Sequence, residues 1–295
     1  LKTCDKDYSR KGEIQEKIGY SLYRAAFQNE QKKDFLEGVK KAVDPYILAQ
    51  SHYEKIEADE GLPRRLRCRA FSKYLEHWTK ADSSDKLELL KECQKLKGEA
   101  LDIFWDRKEF SEYCRTYTEL MHVTDLIFHR EWDPQNRRAI LERELSSGEK
   151  ALNALSDLDD PYIAAKVNVT YVRYLEEYWT YIEPSWNIEV LRHHFNEALR
   201  YAEEIGDQIT KARCYVFMGV RGTSIIRKES HNYLLKALEF TEKTGDIFLK
   251  AQIFSWIAYA YYWTAFSIED PDQRIERADK AMEYYGAVFG WGPFR

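Results

Sequence analysis

The sequence predicts an all-α protein: a right-handed α-solenoid of about six antiparallel helix pairs, occupying residues 1–295 as a single domain. Three observations carry this. Apolar residues recur at helical spacing almost throughout, as in the stretch from Leu87 and Leu90 to Leu101 and Phe104, and β-branched clusters of period two are scarce. The segment Ile18-Gly19-Tyr20-Ser21-Leu22-Tyr23-Arg24-Ala25-Ala26-Phe27 returns 239 residues later as Ile257-Ala258-Tyr259-Ala260-Tyr261-Tyr262-Trp263-Thr264-Ala265-Phe266, in register through to Lys41-Ala42 and Lys280-Ala281. Finally, breakers fall at intervals, each pairing a helix stop with an Asp or Ser able to cap the next helix.

Taken in order, the first unit pairs the helix of Ile18 with that of Ala42-Val43. Gly61-Leu62-Pro63 reads as the turn into a second unit. Ala81-Asp82-Ser83-Ser84-Asp85 then leads to the helix of Ala100-Leu101, Trp132-Asp133-Pro134 to that of Ala151-Leu152, and Leu158-Asp159-Asp160-Pro161 to an aromatic-rich helix. Glu183-Pro184-Ser185 precedes the helix of Ala198-Leu199, and Gly206-Asp207, Gly245-Asp246 and Glu269-Asp270-Pro271 mark the remaining turns up to Ala281-Met282. A small residue beside a large one lets paired helices approach closely, and a glycine just past a helix end takes the left-handed conformation that terminates it.

Composition narrows the function classes. With 45 Lys and Arg against 50 Asp and Glu, the formal charge is -5, which gives no global reason to expect nucleic acid or an anionic membrane as partner. The five cysteines, Cys4, Cys68, Cys93, Cys114 and Cys214, are odd in number and widely spaced, which reads as reduced thiols in a cytoplasmic setting. No signal-peptide pattern opens the chain, and no apolar run is long enough to span a bilayer. The start at Leu1 and the end at Gly290-Trp291-Gly292-Pro293-Phe294-Arg295, without a polar cap, read as a fragment of a longer protein.

Catalytic chemistry finds no foothold. There is no Gly-rich phosphate loop, no dinucleotide fingerprint and no Cys-x-x-Cys pair, so no cofactor is expected. His122, Asp125 and His129 share a helix side but put the histidines two turns apart, too far for one metal, and His193 and His194 point in different directions. Acidic pairs are too abundant to single one out as general acid and base. The basic run Arg64, Arg65, Arg67 and Arg69 forms a collar on which phosphate or an acidic partner segment could dock, with a solvated salt-bridge network to Glu54, Glu57, Asp59 and Glu60 as the simpler reading.

The residues resemble the tetratricopeptide repeat family. Its first-helix pattern looks like Ile18-Gly19 with Leu22 and Ile257-Ala258 with Tyr261, with Met218-Gly219 and Gly222 a poor match; its second-helix pattern looks like Ala198 with Ala202 and Ala237 with Thr241. The family repeats at about 34 residues, whereas these units run 39 to 58, so longer helices and a deeper groove are expected, as in divergent repeats of prokaryotic regulators and signalling ATPases. The resemblance implies ligand contacts from Tyr20, Tyr23 and Arg24 in the first unit and from Tyr259, Tyr262 and Trp263 in the last. Packing between helices is the competing reading of the same rings. The middle series, Tyr74 and Trp78, Tyr113 and Tyr117, then Tyr171 and Tyr174, reads as core, with Tyr178 and Trp179 as exceptions because Glu176, Glu177 and Glu183 stand beside them.

The expectation is a non-enzymatic scaffold that takes a protein or peptide segment on its concave face. The alternatives are a ligand-sensing or oligomerisation arm that binds a small effector, and, less favoured, an α-toroid acting on carbohydrate.

Overall fold

The structure is a computed structural model that describes residues 2–184, 187–225, 227–266 and 268–290, with the side chains of residues 2–6, 58, 221–230 and 289–290 outside the description. Ser185, the side chain of Cys4, the burial of Gly222 and the C-terminal residues from Trp291 onward therefore lie outside it. Among the described residues there are thirteen α-helices, one 3-10 turn (Leu155–Asp157) and no strand. In order they are α1 (Lys2–Ala26), α2 (Lys32–Tyr53), α3 (Ala58–Thr79), α4 (Ser83–Asp106), α5 (Phe110–Glu119), α6 (Met121–Phe128), α7 (Pro134–Ala154), α8 (Pro161–Tyr181), α9 (Ile188–Ile205), α10 (Gln208–Ile225), α11 (Arg227–Glu242), α12 (Ile247–Ala265) and α13 (Pro271–Gly290). The chain divides into two compact units, residues 1–26 with 36–187, and residues 27–35 with 188–295.

The expected turns form as their residues dictate. Asp82, Asp133, Asp160, Asp207, Asp246 and Asp270 each accept from backbone N–H groups of the helix that follows, which satisfies donors a helix start leaves open. Gly206 and Gly245 adopt φ of +73° and +67°, the left-handed conformation needed past the ends of α9 and α11. Two readings need correction. Gly61 and Pro63 lie inside the first turns of α3, which begins at Ala58, so this tripeptide is no turn between units. The thirteenth helix arises because the chain breaks at Leu120 and splits one expected helix into α5 and α6.

All six alanines of the repeated small-large pairs are buried: Ala42, Ala100, Ala151, Ala198 and Ala237 are fully covered and Ala281 nearly so. They sit on α2, α4, α7, α9, α11 and α13, the second helix of each expected pair. In the first unit α1 and α2 run antiparallel at close range. A Cβ on Gly19 would stand 2.7 Å from the Tyr46 ring, and one on Gly12 would stand 2.5 Å from that of Tyr53. Phe71 of α3 stacks on Tyr46 at 4.8 Å, while Cys114 and Tyr117 of α5, Ala151 of α7 and Tyr174 of α8 belong to one core cluster. In the second unit Ala212 and Val216 of α10, Leu234 and Ala237 of α11, and Leu249, Ile253 and Ile257 of α12 share a second cluster.

Contacts also reach beyond sequence neighbours. Within the second unit, Phe27 and Phe35 close on Phe248 at 4.5 and 4.9 Å, and the Ile247 N–H donates to the Phe27 carbonyl at 3.1 Å. The connection between α1 and α2 thus packs at the start of α12, which a strictly nearest-neighbour array does not provide.

Enlarging a fully covered alanine should force paired helices apart. Ala198→Leu and Ala237→Leu are each expected to lose about 1–3 kcal/mol in denaturant unfolding; values matching the parent protein would show that these alanines do not hold close contacts.

Candidate functional site

α12 has the sequence IFLKAQIFSWIAYAYYWTA, whose 19 residues contain a single charge, Lys250. A helix apolar on every side is ordinarily enclosed on every side. Here enclosure is partial. Ile253, Ile257 and Ala260 are buried with residues of α10 and α11, and Phe254 and Tyr261 meet Tyr284 of α13 at ring distances of 5.4 and 5.9 Å. Tyr261 also shares a 3.1 Å hydrogen bond with His231. The rings left over form an outer face, with Tyr259, Tyr262, Trp263 and Phe266 exposed by 37%, 47%, 54% and 63%. They touch one another: Tyr259 to Trp263 at 5.9 Å, Tyr262 to Trp263 at 6.0 Å, and Tyr262 to Phe266 at 4.9 Å. The three residues singled out in the last unit are thereby brought together on one open surface, and Phe266, which sequence reasoning did not choose, extends it.

The equivalents in the first unit are placed differently. Tyr23 is buried, its hydroxyl 3.0 Å from that of Tyr74, and burial first, then Tyr74, pushes its phenol well above the usual range. Tyr20 is half-buried with its ring edge-on to Phe71 at 6.4 Å, and Arg24 is half-buried. Tyr23 is therefore a packing residue, held by the α3 rings. Of the middle pair, Trp179 is buried in spite of its acidic neighbours, which corrects the expectation that it escapes the core. Tyr178 is half-buried and meets the wet surface, donating to Glu183 at 3.3 Å and accepting from Arg138 at 3.4 Å.

The first unit also holds a cleft of about 580 Å³ between α1, α5 and α8, lined by Lys17 and Tyr20, Arg115 and Glu119, and Tyr162 and Lys166 among others. The Lys166 ammonium hydrogen-bonds Tyr162 and reaches Tyr20 at 3.5 Å, and its pKa stays raised because these phenols outweigh its burial. Behind the cleft lies a network that the sequence reading missed. Glu16 of α1 accepts from Tyr53 of α2 at 2.7 Å and pairs with Arg67 of α3 at 2.8 Å and Arg115 of α5 at 3.2 Å. Arg67 is fully buried and also pairs with Glu112, while Arg115 pairs with Glu119 at 3.0 Å. Burial alone would raise the Glu112 carboxyl, but Arg67 and Arg115 outweigh it and take it down to about 2.

The basic run is thus no solvated collar on the upstream acids. Arg67 is interior, Arg64 pairs with Glu109 at 2.8 Å, and Arg69 pairs with Glu92 at 2.8 Å. A signal for Glu16 was present, because the buried positions of α1 are 12, 16, 19, 23 and 26, and the glutamate stands squarely in that stripe.

Four cysteines, Cys68, Cys93, Cys114 and Cys214, are buried free thiols, and burial lifts each, Cys114 to about 12. Asp125 pairs with Arg173 at 3.6 Å and His129 lies 3.9 Å from Glu177. Among the described residues no group of three His, Cys, Asp or Glu is placed to hold a metal, and no helix is long and apolar enough to cross a membrane.

No family model matches this chain, and no curated protein matches it. Among solved structures, one described as a computational design of self-assembling cyclic protein homo-oligomers aligns over 97% of this chain and 96% of its own, at 11% identity and a TM-score of 0.29.

The ion network yields a pH dependence. The folded pKa of Glu112 lies below its unfolded value of about 4.3, so its contribution to stability is complete above that pH and is lost as pH falls toward 2. Acid titration of stability in Glu112→Gln should show a shallower loss across this window than the parent protein. An identical slope would mean that the carboxylate is not held by the two guanidinium groups. Arg67→Ala takes the buried guanidinium from both Glu16 and Glu112, leaving them Arg115 and Arg64, and should cost about 3–5 kcal/mol at neutral pH.

Proposed function

We propose that this chain is a non-enzymatic helical-repeat module of tetratricopeptide type that takes a protein or peptide segment on the aromatic face of α12. The supporting observation is the cluster of Tyr259, Tyr262, Trp263 and Phe266, four rings joined in one contact chain through Trp263 and each more than a third exposed. Exposed rings scattered singly are ordinary, but a contiguous set marks an interaction surface. Elsewhere among the described residues, the strongly exposed rings Trp132, Tyr162 and Tyr181 lie at or beyond helix ends and not along one helix face. Tyr and Trp suit such a surface because each presents a large apolar area with few rotors to immobilise and a polar tip to satisfy at the rim. The tetratricopeptide assignment is supported by the buried alanines and by the glycine-aspartate turns, which reproduce the physical content of that repeat at greater helix length.

The cleft in the first unit favours a second reading, a sensing arm with a small effector seated between Tyr20, Tyr162 and Lys166. Its test is a thermal-shift screen of small anions with and without Lys166→Met; stabilisation that disappears in the variant supports it.

For the main reading, the triple variant Tyr259→Ala, Tyr262→Ala, Trp263→Ala should retain its helical circular dichroism. It should lose about tenfold or more in affinity for any partner captured by the parent protein. Undiminished capture by the folded variant would remove these rings from the recognition surface.

A further inference from the structure

The cleft between α1, α5 and α8 contains two charged groups whose bonding capacity the protein leaves partly unused. The first is Lys166. Its ammonium has three N–H donors, of which one goes to Tyr162 and another, at 3.5 Å, to Tyr20, and no carboxylate pairs with it among the described residues. Because both phenols accept from Lys166, their own hydroxyl hydrogens are left to donate. One N–H and two O–H groups therefore stand available at the cleft. The second group is Glu119. Its side chain is only 9% exposed, its Oε1 accepts from Arg115 at 3.0 Å, and its Oε2 has no hydrogen-bond partner. Tyr46, whose buried hydroxyl is unpartnered too, does not supply the missing donor. Leaving a buried carboxylate oxygen without a donor incurs the desolvation of a charged acceptor, and native structures rarely tolerate it. Both groups line one cavity of about 580 Å³, a size usual for small-molecule sites. They also sense each other: burial opposes the charge on Lys166, and Tyr20, Tyr162 and then Glu119 restore it.

We propose that this cleft binds a free α-amino acid, with the ligand's carboxylate on Lys166, Tyr20 and Tyr162 and its ammonium on Glu119. The proposal rests on the reading of the cleft as the seat of a small effector, and it names the chemical class of that effector. Charge selects the class. Carboxylates outnumber cations around the cavity by four to three, so a dianion such as a phosphate ester meets net repulsion. A simple cation meets Lys166 and Arg115. A zwitterion satisfies both ends at once, because it brings an anion to the unused donors and N–H groups to the orphaned Oε2. Ile163 and the ring of Tyr20 supply an apolar wall for the ligand's side chain. An analogue lacking either charge leaves one set of protein groups unpaired, and a site built on such groups rejects it strongly.

The test is a thermal-shift survey of the full chain with each of the common α-amino acids, followed by calorimetric titration of the strongest. A ligand that binds only the folded state raises the melting temperature. At least one amino acid should do so, and its N-acetyl derivative and its methyl ester should each bind at least about tenfold more weakly, since each lacks one charge. Two variants, first checked for parental circular dichroism, locate the two ends. Lys166→Met should weaken the amino acid by about tenfold or more and leave the methyl ester unchanged, whereas Glu119→Gln should weaken the amino acid by as much and leave the N-acetyl derivative unchanged. Should either variant fail to fold, the two derivatives measured on the parent protein decide the question for its end. Stabilisation by no amino acid, or binding that survives both blocking groups, would overturn the proposal. If no amino acid binds but acetate stabilises the parent protein and not Lys166→Met, the effector seat stands and only its assignment to an amino acid falls.

Discussion

A helix pair made from these sequences has two apolar sides and cannot bury both against itself. This constraint organises the structure. Where a neighbour is present, the side disappears from solvent: Phe71 and Tyr74 of α3 close over Tyr46 and Tyr23, and α10 and α11 take in Ile253 and Ile257. Where none is present, the same residue positions stand open. Among the described residues, the aromatic face of α12 and the aliphatic stripe of Ile14, Ile18 and Leu22 on α1 are two such uncovered sides.

The interior of the first unit solves a different problem. Glu16 ties α1 to α2 through Tyr53, to α3 through Arg67 and to α5 through Arg115, so one carboxylate reaches three other helices. Taking such ions out of water is costly, and replacing them with apolar side chains of similar volume is often neutral for stability. What the network supplies is direction. Sliding or rotating α1 would separate the Glu16 carboxylate from two guanidinium groups at once, so the packed rings of Tyr46 and Tyr53 against Gly19 and Gly12 have one register available.

Local chemistry was the legible part of this fold. Six aspartates that looked like caps are caps, two glycines expected to end helices take positive φ, and the recurring alanines lie at covered contacts. These readings held because each depends on residues within one turn of one another. Gly61 and Pro63 misled for the converse reason: a proline near a helix start is compatible with helix, so the tripeptide carries no stop by itself. The split at Leu120 has no glycine or proline to announce it. The site was legible in half. Tyr259, Tyr262 and Trp263 emerged together, but Tyr23, identical in sequence position within its repeat, is enclosed because a third helix follows it. No single repeat records whether a neighbour follows. Arg67 was misread because its partners Glu16 and Glu112 lie 51 and 45 residues away, beyond any local pairing rule.

The central claim is that α1 and α12 are the same repeat element with opposite sides open. Hydroxyl-radical labelling of the dilute protein, read residue by residue, tests it most directly. The account predicts strong modification at Ile14, Ile18 and Leu22 and at Tyr262 and Trp263, with protection of Ile253, Ile257 and Tyr23. Equal labelling of the paired positions, Ile18 with Ile257 and Tyr23 with Tyr262, would contradict it.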